Sequence, residues 1–357
     1  MKGKPTFHNI APAFSSMLRK KVDDYFKVNE KHATGNYKAY WKTAILFTTA
    51  LAFYNVLMFD LTPIWVSVLI CILLGLNLAG IGFNVMHEGA HGSFSSRKWV
   101  NDMMSHSLEF MGGSSYMWKQ KHNMNHHAYT NIEGLDDDID IKPWIRTNNN
   151  QPRRWYHRYQ HIYWVLLYGF TYFIWVFSQD FQKYFTRKIA DTPLKKMKTK
   201  DHVIFWSSKI LYVFTFLIIP MFMLGFWPTV IGYAIISFTC GWVIAVVFQL
   251  AHLIEDSSFP MPDANSNKIE QEWTIHQLTT TANFSTRNKI TSWFTGGLNF
   301  QIEHHLFPKI NHVHYPAISK LVKEVCEEFN VTYMEYPSVL SALRSHVGYL
   351  KTAGSQN

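Results

Sequence analysis

Apolar and polar positions fall along this chain in long blocks. Five apolar runs, residues 41–59, 64–85, 162–177, 205–226 and 229–251, stand between strongly polar segments. Crossing roughly 30 Å of hydrocarbon takes about 20 apolar residues, and four of the runs approach that length. Residues 41–59 and 64–85 form a hairpin around the break Asp60-Leu61-Thr62-Pro63. Residues 205–226 and 229–251 form a second hairpin around Trp227-Pro228. Neither turn holds Lys or Arg. Lys31 and Lys38 precede the first hairpin and Lys42 stands at its edge, Arg97 and Lys98 follow it, and residues 183–202 are rich in both cations. The positive-inside rule therefore puts the open ends in the cytoplasm. Residues 162–177 are short and studded with Tyr163, Trp164, Tyr168, Tyr172 and Trp175, aromatics that favour the interface. They are expected to form an interfacial or re-entrant helix. Two amphipathic helices are expected at residues 12–26 and 315–329, from the spacing of Phe14, Leu18 and Val22 and of Ile318, Val322 and Val325. The first fits either an ordinary surface helix or one lying on an anionic membrane.

The pattern predicts an all-α integral membrane protein with four transmembrane helices in two hairpins and a helical cytosolic cap. It is read as one domain, 1–357. Residues 1–40 form a cytosolic amphipathic segment and 41–85 the first hairpin. Residues 86–204 hold two histidine groups, a loop and the interfacial helix, 205–251 the second hairpin, and 252–357 the cap.

Composition sharpens this picture. Hydrophobic residues make up 48% and aromatic residues 16%, yet mean hydropathy is −0.08, as expected when apolar spans alternate with very polar segments. The net charge of +9 fits nucleic acid, an anionic membrane or an acidic partner. No nucleic-acid module is present and the cations flank apolar runs, so membrane lipid and an acidic protein are the expected partners. Cys71 and Cys240 lie in apolar runs and Cys326 in a polar tail, which implies no disulfide framework. No apolar core follows the first basic residues, so no secretory signal is expected.

The chemistry lies in the histidines. His87 and His91 are four apart where the second run ends, so on a helix they share a face. His122 and His126 repeat the spacing with His127 beside them. Gln301, His304 and His305 converge from i, i+3 and i+4, and His252 closes the last span. Gathering these imidazoles without a metal leaves buried nitrogens unsatisfied, at about 1–3 kcal/mol each. No cysteine accompanies them, which argues against iron–sulfur and structural zinc sites. Imidazole suits iron, copper or zinc. Eight imidazoles exceed the needs of one ion, so two redox-active ions are expected beside an apolar substrate. His87-Glu88-Gly89-Ala90-His91 also fits the H-E-x-x-H pattern of zinc proteases with Glu88 as base, but that reading leaves the other histidines unexplained. A metal transporter would carry ligands inside its spans, which here are almost free of them. Asp136, Asp137, Asp138 and Asp140 fit either acceptors behind the ligand rings or a solvated acidic loop. Glu88 and Glu303 lie between ligands and fit the same bracing role, and Gln301 fits a water-mediated or orienting one. His106, His276, Trp118 and Trp293 read as packing residues.

Taken as a trio in this order and spacing, residues 87–91, 122–127 and 301–305 resemble the histidine boxes of the membrane fatty-acid desaturases. Gln301 resembles the mark of the front-end group. The stretches His127-Ala128-Tyr129-Thr130-Asn131 and Trp273-Thr274-Ile275-His276-Gln277-Leu278 resemble bacterial linoleoyl-CoA desaturase-like members. The resemblance implies a non-haem diiron centre held by His87, His91, His122, His126, His127, His252, His304 and His305. Gln301, Glu88, Glu303 and Asp137 would act behind these ligands or through water, with no catalytic side chain beyond the metal centre. It implies consumption of dioxygen and two electrons to turn two neighbouring methylenes of a fatty acyl chain, as acyl-CoA or acyl-lipid, into a cis alkene. Delta-6-like regioselectivity is expected. A lipid hydroxylase on the same scaffold is the alternative. The sequence contains no His-Pro-Gly-Gly haem motif, so electrons are expected from an external ferredoxin or cytochrome b5, docked on basic loops such as residues 183–200. The expected location is a bacterial cytoplasmic membrane, with the site on the cytoplasmic face.

Overall fold

The computed structural model describes residues 4–8 and 12–356. The described chain forms two units. One, here the membrane unit, comprises Asn36–Asn123 and Tyr163–Val247. The other, the polar unit, comprises Met124–Ile162 and Phe248–Asn357 together with the N-terminal Met1–Gly35, as far as these are described.

Four helical runs among the described residues are long and apolar enough to cross a membrane: Ile64–His91, Trp155–Thr186, Thr199–Leu224 and Phe226–His252. The expected number holds, but the membership differs. Trp155–Thr186 qualifies because residues 153–192 contain no proline, so the helix runs far beyond 162–177 at both ends. The helix Tyr37–Met58 packs beside Ile64–Ile81 as its hairpin partner, but Lys38, Lys42 and Asn55 dilute its apolar character and it is not among the four. The second hairpin turns at Gly225 (φ +89°) rather than at Trp227-Pro228. Pro228 sits instead in the first turn of Phe226–His252, where a missing N–H is tolerated. The second span does not end at Val85. It continues through a π-helical turn, Gly82–Met86, so that His87–His91 is its last turn.

The membrane unit leaves broad apolar surface uncovered, including Ile64, Trp65, Leu166, Ile210 and Phe222. Such surface is unfavourable in water and suited to lipid. Several polar groups within the spans are matched internally, while the buried Asn77 Oδ1, Trp242 Nε1 and Gln249 Oε1 have no hydrogen-bond partner. Lys209 Nζ donates to Asp180 (2.8 Å), to Val176 O and to Gly112 O. Tyr172 donates to Met111 O, and the Tyr172, Tyr212 and Tyr233 hydroxyls form a chain. Asn77 donates to Thr49, and Lys42 to Asn84. Small residues set the closest helix approaches, as they do where lipid leaves packing as the main attraction. A β-carbon at Gly241 would stand 2.7 Å from Gly169 O and 2.8 Å from Tyr172 N, both backbone atoms that cannot step aside.

In the polar unit the helix Pro12–Val28 buries Phe14, Leu18 and Val22 with Ile318, Val322 and Val325 of Tyr315–Glu328. Lys21 lies 3.6 Å from Glu324 and 3.7 Å from Glu328. The apolar stripe of this N-terminal helix thus faces protein, the ordinary surface-helix alternative. Arg146, buried, donates to the carbonyls of Asn149, Gln151, Ala353 and Gln356, closing the end of Val339–Ser355.

Gly241→Ala is expected to destabilise the protein by about 1–3 kcal/mol through overpacking. Gly232→Ala, whose β-carbon meets only Cys71 Sγ at 3.6 Å, is expected to be neutral or mildly stabilising. Thermal unfolding in detergent distinguishes the two.

Candidate metal-binding site

The membrane unit brings His87, His91 and His122 together. Ring centroids are 4.6 Å apart for His87–His91, 5.1 Å for His87–His122 and 5.2 Å for His91–His122. His87 Nε2 stands 3.2 Å from His122 Nε2. Local sequence explains the convergence. The π-turn Gly82–Met86 precedes His87, and a second π-helical segment, Gln120–His126, carries His122. Asn123 donates to Ala90 O at 2.9 Å, fastening the two together. Trp118 stacks on the His122 ring at 4.3 Å. Glu88 is buried and accepts from Ser93 Oγ at 2.6 Å.

The polar unit holds His126, His127, His252, His304 and His305, all buried. Ligand nitrogens of His126, His252 and His305 lie within 4.8 Å of one another, and the His127 ring is 4.6 Å from His304 and 4.4 Å from His305. The outer nitrogens meet fixed partners. His126 Nδ1 is 2.9 Å from Asp136 Oδ2, His305 Nδ1 is 2.8 Å from Gln277 Oε1, His252 Nδ1 is 3.2 Å from Thr280 O and His304 Nδ1 is 3.1 Å from the Tyr315 hydroxyl. An Nδ1 that donates leaves a bare lone pair on Nε2. His126 and His305 then aim two lone pairs at each other across 3.2 Å, and the buried His252 Nε2 has no hydrogen-bond partner. A bound cation relieves that arrangement. Imidazole ligands at right angles on bonds of about 2.1 Å stand about 3 Å apart, so these residues fit a metal ion.

Asp136, 3% exposed, takes the bracing position on His126 and also accepts from Asn131 N–H. Asp137 is half-buried beside it. Glu303 accepts from Asn283 and Tyr333 (2.7 and 2.8 Å), and burial pushes its carboxyl up to about 7. Gln301 is buried with its Oε1 unpartnered. Gln277, the Thr280 carbonyl and Tyr315 escape sequence reading because a bracing group follows no spacing rule. Gln277 lies within the stretch 273–278, which carries the family resemblance but assigns it no role. His276, buried with its ring 5.1 Å from that of Phe7, has its pKa pushed down to about 4 by burial.

The Fatty acid desaturase family model matches residues 63–337, and the chain belongs to that family. It is 37% identical to an sn-1 linoleoyl-lipid 6-desaturase of Arthrospira platensis over 95% of this chain and 92% of that one. It is 34% identical to an sn-1 linoleoyl-lipid 6-desaturase of Synechocystis sp. over 96% and 95%. It is 36% identical to an acyl-lipid (8-3)-desaturase of Physcomitrium patens over 96% of this chain and 72% of that one. The protein is an integral membrane oxidoreductase that desaturates fatty acyl chains with a metal cofactor. The protease reading of His87–His91 and the hydroxylase alternative are not favoured.

Removing a partner that orients a metal-bound imidazole lowers metal affinity or activity by about 10–100-fold. Asp136→Ala is expected to show a loss of that size, read as metal retained after a chelator challenge and as desaturated product.

Proposed function

We propose that the chain uses two irons, held by His87, His91, His122, His126, His127, His252, His304 and His305, to insert a cis double bond on the carboxyl side of an existing one in a lipid-linked acyl chain. The observation that carries the reading is the convergence of the buried His126, His252 and His305 nitrogens within 4.8 Å of one another, with the His126 and His305 Nε2 atoms 3.2 Å apart. Gln301 at the head of the third box and the names of the Arthrospira and Synechocystis relatives support position 6. Two irons, when bound, supply the dioxygen activation that an unactivated methylene demands. The chain's own work is positional: it aims the ligand nitrogens and presents one C–C bond to them. Gln301, Glu88 and Asp137 act behind the ligands or through water, and Glu303 holds the third box. Electrons come from an acidic ferredoxin or cytochrome b5 that docks on the basic residues of 183–200 at the cytoplasmic face. A bacterial cytoplasmic membrane is the proposed location.

A host expressing the chain and fed linoleate is expected to accumulate an acid with one further double bond on the carboxyl side of the original pair. His305→Ala is expected to abolish it, and the purified wild type to hold two irons per chain. A hydroxylated product would sink the desaturase assignment. A new bond on the methyl side would sink the regiochemistry alone.

A further inference from the structure

Gln277 is fully buried on the helix Trp273–Thr280 and touches two histidine boxes at once. Its Nε2 donates to His127 O at 3.2 Å, and its Oε1 stands 2.8 Å from His305 Nδ1. A peptide carbonyl can only accept, so the amide nitrogen must face His127 and the amide oxygen must face His305. That oxygen in turn can only accept, so His305 Nδ1 carries the ring proton and Nε2 the lone pair. The Thr130 hydroxyl lies 2.8 Å from His126 O, 3.0 Å from Gln277 Oε1 and 3.3 Å from His305 Nδ1; its single proton goes to one of the two oxygens, and its own oxygen is a second, longer acceptor for the His305 Nδ1 proton. The orientation of one amide is thus dictated by a backbone atom of the second box and passed to a ligand of the third.

The two facing ligands are braced by different charges. His126 Nδ1 meets the Asp136 carboxylate, whereas His305 Nδ1 meets a neutral amide. A carboxylate behind an imidazole strengthens it as a donor to metal. We propose that Gln277 is a positioning residue that selects the metal-binding tautomer of His305 while withholding the negative charge Asp136 gives His126. The two nitrogens facing each other at 3.2 Å are then unequal ligands. The proposal rests on the reading of His305 as an iron ligand.

The test uses the full-length chain, purified in detergent and loaded with iron. Iron release to a chelator and the Mössbauer spectrum are followed for wild type, Gln277→Leu and Gln277→Glu, with melting of each metal-free form as a folding check. Gln277→Leu is expected to release iron about 10–100-fold faster. Gln277→Glu keeps an acceptor under His305. It is expected to recover slow release but to change the spectrum of one iron while leaving the other as in wild type. Wild-type release by Gln277→Leu would overturn the proposal. So would a Gln277→Glu variant that melts like wild type but loses iron as fast as Gln277→Leu, since packing rather than orientation would then be the role. Failure of the underlying iron reading would appear earlier and separately, as a wild-type chain that binds no iron or a His305→Ala variant that keeps its full complement.

Discussion

A neutral imidazole has one nitrogen that donates and one that accepts, and once the ring is buried the protein must answer for both. The polar unit holds the Nδ1 side with fixed partners. Asp136, Gln277, the Thr280 carbonyl and the Tyr315 hydroxyl meet the Nδ1 atoms of His126, His305, His252 and His304. The opposite nitrogens of His126 and His305 face each other. The buried His252 Nε2 has no hydrogen-bond partner, and a buried polar group left unsatisfied costs about 1–3 kcal/mol, so the metal-free arrangement is locally unfavourable. Metal binding and the integrity of this region are therefore coupled. The same constraint explains why the bracing residues are themselves deeply buried: a brace that water can replace fixes no tautomer.

Helix irregularity delivers the ligands. Regular α-helix before His87 and through His122 would hold a fixed angular register with the flanking turns. The π-helical turns Gly82–Met86 and Gln120–His126 reset that register just where the imidazoles begin, and such turns concentrate at functional sites. The first two boxes thus belong to continuous helical stretches anchored at a distance, rather than to loops. In the membrane unit the anchoring comes from close backbone approaches at Gly75, Gly169 and Gly241 and from polar groups satisfied within the bundle, of which Lys209 with Asp180 carries charge. A charge pair at that depth persists only when its remaining donors are also met, and Lys209 meets two backbone carbonyls besides.

The histidines that converge were legible in the sequence and the groups that brace them were not. Spacings of four residues fix which imidazoles share a helix face, so His87 with His91 and His122 with His126 declare themselves, and His252 is exposed by the span it closes. Among four neighbouring aspartates no spacing rule separates Asp136 from Asp137, because the choice is made by a loop whose shape depends on Asn131 in a left-handed conformation. Gln277 is hidden for the same reason: its role comes from a backbone carbonyl far away in the chain. The apolar runs revealed the helices but not all their ends. Hydropathy sees where apolar character stops, whereas Trp155–Thr186 continues as long as backbone hydrogen bonds and the absence of proline allow.

The third box shows how little of a site's geometry its own residues determine. Gln301–Leu306 is six residues long, far too short to hold helical form unaided. Asn283 supplies what the sequence of the box lacks. Its Oδ1 accepts the Ile302 N–H, one of the unpaired donors at the helix start, and its Nδ2 donates to Glu303. Tyr333 donates to the other Glu303 oxygen. Glu303 therefore turns away from the ligand set and serves as the peg by which this short helix is fixed to the chain around Asn283 and Tyr333. With the helix pinned at that peg, His304 and His305 keep only the freedom of their own side-chain torsions. Tyr315 and Gln277 then act on those torsions, so the peg and the braces are successive parts of one positioning device.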